Sequence, residues 1–169
     1  SDLVELVKFC KKFNVRVKLQ TNALVLHKTE YVRRLKQAGL DEALVSIHSY
    51  KPEINDFITQ VKGSLEKSLK GIGNLIKENI RVDIAYVITK KNKDVKRFVK
   101  FIKETFPEIN FFMFFLPWPK ARGWKNRKYV PRLSNIEGEL YELFKYCENN
   151  KILFSTRGIP LCYMEAFHK

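Results

Sequence analysis

Helical and strand periodicities alternate along the chain as α β α β α β α β α β, which predicts an α/β fold with a parallel sheet and right-handed crossovers. Two further observations support that class. Residues 43–47 form a short apolar run with the signature of a strand buried on both faces. Polar side chains recur just beyond the predicted strands, as Thr21-Asn22, Ser46 with His48, and Thr89 with Asn92. In parallel α/β folds ligands bind at that end of the sheet, and one ligand shared by neighbouring strand ends would account for the recurrence. A barrel, or part of one, provides such a geometry.

The elements follow in order. Residues 3–13 read as a helix with Asp2 as N-cap and Leu3, Leu6, Val7 and Cys10 on one face. Alternating Val15, Val17 and Leu19 predict a strand over 15–21. A helix over 30–38 is capped by Thr29 and turns Tyr31, Leu35 and Ala38 inward; Gly39 suits its left-handed end. After the strand at 43–47, a helical turn is expected over 53–59, and a helix over 65–78 with Ser64 as cap. A strand over 81–88 precedes a helix over 95–106 that buries Val95, Phe98, Val99 and Ile102 and stops at Pro107. The run at 109–116 is nearly all apolar and reads as a central or doubly covered strand. A long loop, 117–133, follows, and loops of that length are often functional. Ser134 and Glu137 predict a capping box for a helix reaching residue 149, with Ile136, Leu140, Leu143, Phe144 and Cys147 inward, before a last strand at 152–155.

The chain has 169 residues, enough for one domain with a substantial core. Its net charge of +14 attracts anions, phosphorylated substrates and nucleic acid among them, although most lysines lie on outer helix faces. No RNP motif, zinc-finger spacing or Gly-x-Gly-x-x-Gly fingerprint is present. No apolar run approaches the ~18 residues of a membrane span. Cys10, Cys147 and Cys162 are too few and too scattered for a disulfide framework, which suits a reducing, cytoplasmic setting.

An ordered series of small motifs carries a resemblance. Thr21-Asn22 ends the first strand; Gly39-Leu40-Asp41-Glu42-Ala43-Leu44-Val45-Ser46-Ile47-His48 forms the second. Gly63-Ser64-Leu65-Glu66-Lys67-Ser68-Leu69-Lys70-Gly71-Ile72 opens a helix, and Val87-Ile88-Thr89-Lys90-Lys91-Asn92 ends the third strand. Together these resemble the radical S-adenosylmethionine (radical SAM) family over nearly the whole chain. The resemblance implies a parallel-stranded partial (β/α) barrel, TIM-like and missing its first strands. It divides the single domain into a core at about 1–116, the loop 117–133 and a helix–strand extension at 134–169.

The family's Cys-x-x-x-Cys-x-x-Cys loop and Gly-Gly-Glu strand are absent from the sequence, and both are expected upstream of Ser1. The chain is therefore expected to be the later part of a radical enzyme, inactive by itself. The [4Fe–4S] cluster would belong to the full-length parent and the missing N-terminal part of the barrel would be its partner. The resemblance assigns S-adenosylmethionine to Thr21, Asn22, Ser46, His48, Thr89 and Asn92, with His48 standing where the family usually has Asp. In the parent, a 5′-deoxyadenosyl radical would abstract hydrogen from an unidentified substrate, which the charge suggests is anionic. Cys162, in Ile159-Pro160-Leu161-Cys162, resembles the start of an auxiliary-cluster extension; a lone buried thiol is the other reading.

The bland readings stay open beside these. Ser46 also suits a strand hydroxyl satisfied by backbone, His48 a loop cap, and Asn22 and Asn92 turn residues. The loop with Trp118, Lys120, Arg122, Trp124, Lys125 and Arg127 suits stacking and pairing with an anion, or a basic lid. Two rival functions remain: a cationic α/β binding module for nucleic acid or another acidic partner, and an incomplete barrel that associates with itself or another chain through an open sheet edge.

Overall fold

The computed structural model of the chain describes residues 2–117, 120 and 122–163. It is an α/β fold with five strands in the order β1-β2-β3-β4-β5, parallel as predicted. The strands are β1 Lys18–Thr21, β2 Glu42–Ser46, β3 Arg81–Val87, β4 Phe111–Phe115 and β5 Leu153–Arg157. The helices are α1 Asp2–Lys11, α2 Thr29–Gln37, α3 Pro52–Thr59, α4 Ser64–Lys77, α5 Val95–Thr105, α6 Arg122–Lys125 and α7 Glu137–Asn149. No helix among the described residues is long and apolar enough to cross a membrane.

Residue contacts gather into two units, one of residues 1–47 and 51–84, the other of 48–50 and 85–169. The first half of β3 belongs to the first unit and the second half to the second.

In the first unit, β1 and β2 pair with Thr21 against Val45. Ala43 and Val45 are fully buried, as the apolar run predicts. Asp41 fastens the lower ends of the strands: its carboxylate accepts the Val17 amide at 2.7 Å and the Lys11 ammonium at 3.0 Å. The Val17 amide is the larger cause of a carboxyl pKa held below its ordinary value. Beside it Asp83, buried on β3, is paired with Lys18 from β1 and with Arg81. A buried carboxylate without such partners would be strongly destabilising.

Helix α4 packs on the 3-10 turn Val25–His27, which follows β1. A Cβ on Gly71 would lie 2.6 Å from the Ala23 carbonyl oxygen, so glycine is what permits the approach. Two polar side chains of α4 complete the attachment. Ser68 Oγ donates to the Asn22 carbonyl at 2.7 Å, and Asn74 Nδ2 donates to the carbonyls of Leu26 at 2.9 Å and His27 at 3.0 Å.

In the second unit, β4 and β5 pair with Phe115 against Arg157. The predicted inward faces hold: Val95, Phe98, Val99 and Ile102 on α5 are buried, as are Leu140, Leu143, Phe144 and Cys147 on α7. Burial raises the Cys147 thiol pKa to about 12, so it behaves as a core apolar group.

Several local expectations are corrected. Ser64 is the first residue of α4 and not its cap; Gly63, at φ 69°, occupies the cap position. The orphan amides there are taken by Asp56 from α3, which accepts Gly63 N at 2.7 Å and Ser64 N at 2.9 Å. Thr29 likewise begins α2. The Ser134–Glu137 capping box does not form, because Leu133–Asn135 make a 3-10 turn and Ile136 holds the cap position. On α1, Val4 and Val7 face inward, whereas Leu6 is 56% exposed and Cys10 only half-buried.

Two outcomes follow. Gly71→Ala should destabilise the protein by about 1–3 kcal/mol, read as a lower urea midpoint, because the new methyl meets backbone and not a movable side chain. Asp41 has a depressed folded pKa, so its contribution is complete above the ordinary carboxyl value of 3.8 and is lost as pH falls through the lower folded value. Asp41→Asn should therefore lower the melting temperature at neutral pH and flatten its decline below about pH 4.

Candidate functional site

The residues singled out from the sequence lie at the C-terminal ends of β1, β2 and β3, in two clusters. The first unit carries Thr21, Asn22 and Ser46. Thr21 closes β1, and Ser46 follows its register partner Val45 at the end of β2. Thr21 Oγ1 accepts the Ala23 amide at 3.0 Å, and Asn22 Oδ1 accepts the Leu24 amide at 3.2 Å. These bonds tighten the turn in which Ala23 takes φ 58°. Asn22 is exposed and Ser46 half-buried, so an amide and a hydroxyl border solvent at adjacent strand ends.

The second unit carries His48, Thr89 and Asn92, joined in one hydrogen-bonded knot. Asn92 is 5% exposed. Its Nδ2 donates to the carbonyls of His48 at 2.6 Å and Val87 at 2.9 Å. Its Oδ1 accepts from Thr89 N at 2.6 Å and Thr89 Oγ1 at 2.7 Å. Both donors and both acceptor sites of the amide are therefore engaged within the protein. The Asn92 carbonyl in turn accepts the Tyr86 hydroxyl at 2.7 Å, and Tyr86 packs on Phe98 with ring centroids 4.3 Å apart. Asn92 thus acts on neighbouring groups by positioning them. His48 is half-buried, and burial lowers its pKa below 6.5, which leaves the imidazole neutral at neutral pH.

The same unit exposes a second set of polar groups. Trp124 is 57% exposed, with the Arg127 guanidinium 4.8 Å from its ring centre. Lys128 lies over Tyr129 at 5.1 Å, and the Tyr129 carbonyl accepts the Lys90 amide at 2.8 Å. Trp118 lies outside the described residues, and of the Arg122 side chain nothing is described.

The sequence reading passed over Asn74 and named Ser68 and Gly71 only as parts of a family motif, without the packing role they have. A signal for them exists: they interrupt the apolar stripe of α4 at spacings of three, with small or polar side chains that end up buried.

The comparisons with known proteins bear on these clusters. The family model "Radical SAM superfamily" matches residues 1–102. The chain belongs to the radical SAM superfamily. Among its relatives, a probable GTP 3′,8-cyclase of Thermococcus kodakarensis is 32% identical over 84% of this chain and 46% of its own length. An Fe-coproporphyrin III synthase of Methanosarcina barkeri is 29% identical over 66% of this chain and 28% of its own length. The chain thus spans less than half of these curated relatives. A solved structure of anSMEcpe with bound AdoMet and a Kp18Cys peptide shares the fold, with a TM-score of 0.63 at 19% identity, over 84% of this chain and 40% of that one.

A radical SAM fold implies S-adenosylmethionine and an iron–sulfur cluster, and the two fit differently. The hydroxyl and amide at the ends of β1 and β2 suit a ligand bearing a carboxylate, an amine and ribose hydroxyls. A cluster does not fit: among the described residues no group of three or more His, Cys, Asp or Glu side chains is disposed to hold a metal ion. Cys10 is half-buried on α1, Cys147 lies in the core and Cys162 is exposed.

The knot gives a direct prediction. Asn92→Ala removes four hydrogen bonds and leaves buried partners unsatisfied, so it should lower unfolding stability by about 2 kcal/mol or more in urea titration. Asn92→Asp keeps the acceptors and loses the two donors to the His48 and Val87 carbonyls, and it should show a similar loss.

Proposed function

We propose that this chain is the S-adenosylmethionine-binding and substrate-positioning portion of a radical SAM enzyme, with the cluster held by residues outside it. One observation carries the reading most: hydroxyl and amide groups stand at successive strand C-termini, within the segment that matches the family model. Ser46 is the residue assigned to the ligand's carboxylate, as a hydroxyl donor on a rigid strand end. Asn22 adds an exposed amide on a turn fastened by Ser68. Thr89 is held by Asn92, and His48 contributes its carbonyl to the same knot.

S-adenosylmethionine, when bound with its cluster in the full protein, supplies the 5′-deoxyadenosyl group that takes hydrogen from the substrate. The residues of this chain bind, orient and exclude water. The cytoplasm, where thiols stay reduced, is the compartment that fits. The open side of β1, which among the described residues pairs with β2 alone, is the proposed place for the remaining part of the barrel.

The test is isothermal titration of the full-length, cluster-loaded protein with S-adenosylmethionine. Ser46→Ala should weaken binding about tenfold, the worth of one hydrogen bond to a charged group, with an unchanged melting temperature. Equal affinity in the two proteins would remove Ser46 from the site. No binding by the loaded wild-type protein would overturn the reading and favour a cationic binding module.

A further inference from the structure

We propose that the basic face at the C-terminal ends of β3, β4 and β5 binds the substrate, and that the substrate is a flat, multiply anionic small molecule. The proposal rests on the radical SAM reading only in taking the bound molecule to be the substrate.

The charge pattern comes first. Residues 109–136 contain six Lys or Arg and no Asp or Glu; residues 85–93 contain three Lys, of which Lys93 pairs with Glu139 at 3.0 Å, and Asp94 follows them. In a chain with 18 acidic residues, this concentrates positive charge on two segments. The fold brings them together within the second unit. Lys90 N donates to the Tyr129 carbonyl at 2.8 Å, and Ile88 N to the Phe115 carbonyl at 2.8 Å. Leu116 N donates to the Arg157 carbonyl at 2.9 Å, which adds the end of β5.

The cations there lie against rings. Arg127 stands over Trp124 at 4.8 Å, Lys128 over Tyr129 at 5.1 Å and Arg157 over Phe115 at 6.0 Å. A cation on a ring face is oriented by it; Arg127 Nη1 also donates to the Trp124 carbonyl at 3.1 Å, and the guanidinium keeps further N–H donors for an anion. All three cations are exposed.

The ring observation comes second. Trp124 is 57% exposed on a surface otherwise dominated by charge, and its indole supplies a stacking platform beside the Arg127 guanidinium. Proteins that track single-stranded nucleic acid present successive aromatic side chains along a basic groove. Among the described residues one exposed indole stands beside the Arg127 guanidinium, on the segment whose Tyr129 carbonyl takes the Lys90 amide, which fits one flat group and a compact set of charges. A nucleotide and a carboxylated tetrapyrrole share that chemistry, and it tells them apart only by phosphate against carboxylate.

The experiment uses the full-length protein, with Trp fluorescence and equilibrium dialysis as readouts. The probes are GTP, coproporphyrin III, inorganic tripolyphosphate and a single-stranded RNA oligonucleotide. Saturable binding of GTP or coproporphyrin III is expected, and the one that binds identifies the anion. The double variant Arg127→Ala, Lys128→Ala should weaken it about tenfold or more, while Arg127→Lys retains most of it. Trp124→Leu should abolish the preference for GTP or coproporphyrin III over tripolyphosphate. Binding of neither flat anion, equal binding by the double variant, or binding of RNA alone with a steep salt dependence would each overturn the proposal. S-adenosylmethionine titrated in parallel separates the two readings. Its loss with polyanion binding intact overturns the proposed function alone, and the reverse overturns this inference alone.

Discussion

The close approach of α4 to the turn after β1 is the constraint on which the first unit depends. The Ala23 carbonyl lies where a Cβ on Gly71 would stand, so helix and turn meet backbone to backbone. At that distance carbonyls cannot be left dry, and α4 answers with Ser68 and Asn74, one helical turn to either side. The turn is thereby held from outside the sheet, which leaves Thr21 and Asn22 to fix its inner course. This strand end is rigid because a helix packed beneath it accepts almost no displacement.

The second unit reaches the same end by a different device. There the device is one buried amide. Asn92 bonds the carbonyls of His48 and Val87, and it fixes Thr89 through both acceptor sites. Such a network is worth more than its parts when complete and is costly when broken. At the opposite ends of the strands, Lys18, Asp83, Glu42 and Arg81 form a charged cluster in the first unit. In the first unit charge is neutralised by pairing at the lower ends of the strands, while Thr21, Asn22 and Ser46 sit at the upper ends. That polarity is what a single-ended binding fold requires.

Much of this was legible in the sequence because the elements are long and strongly periodic. The alternation of helix and strand gave the parallel sheet, and the stripes on α5 and α7 gave their buried faces residue by residue. Caps were less legible. Ser64 has the right chemistry for a cap, but Gly63 takes the position with a left-handed backbone, and Asp56, eight residues before Ser64, takes the amides. Local pattern cannot show a partner that arrives from another helix. The same limit applies to Asn92, which reads as a turn residue or ligand contact until its four bonds are traced. On α1, an apolar stripe does not say which of its residues are covered: Val4 and Val7 are, whereas Leu6, Phe9 and Phe13 are largely exposed.

Within the second unit the division of labour becomes physical. Asn92 and Tyr86 are buried and saturated, so they set positions and take no part in selecting a ligand. Trp124, Arg127, Lys128 and Arg157 are exposed; the three cations lie against the rings of Trp124, Tyr129 and Phe115, and Arg127 also donates to the Trp124 carbonyl, which leaves hydrogen-bond donors to spare. Rigidity and recognition are thus carried by different side chains. A substitution in the first group should lower stability, and one in the second should change what is bound.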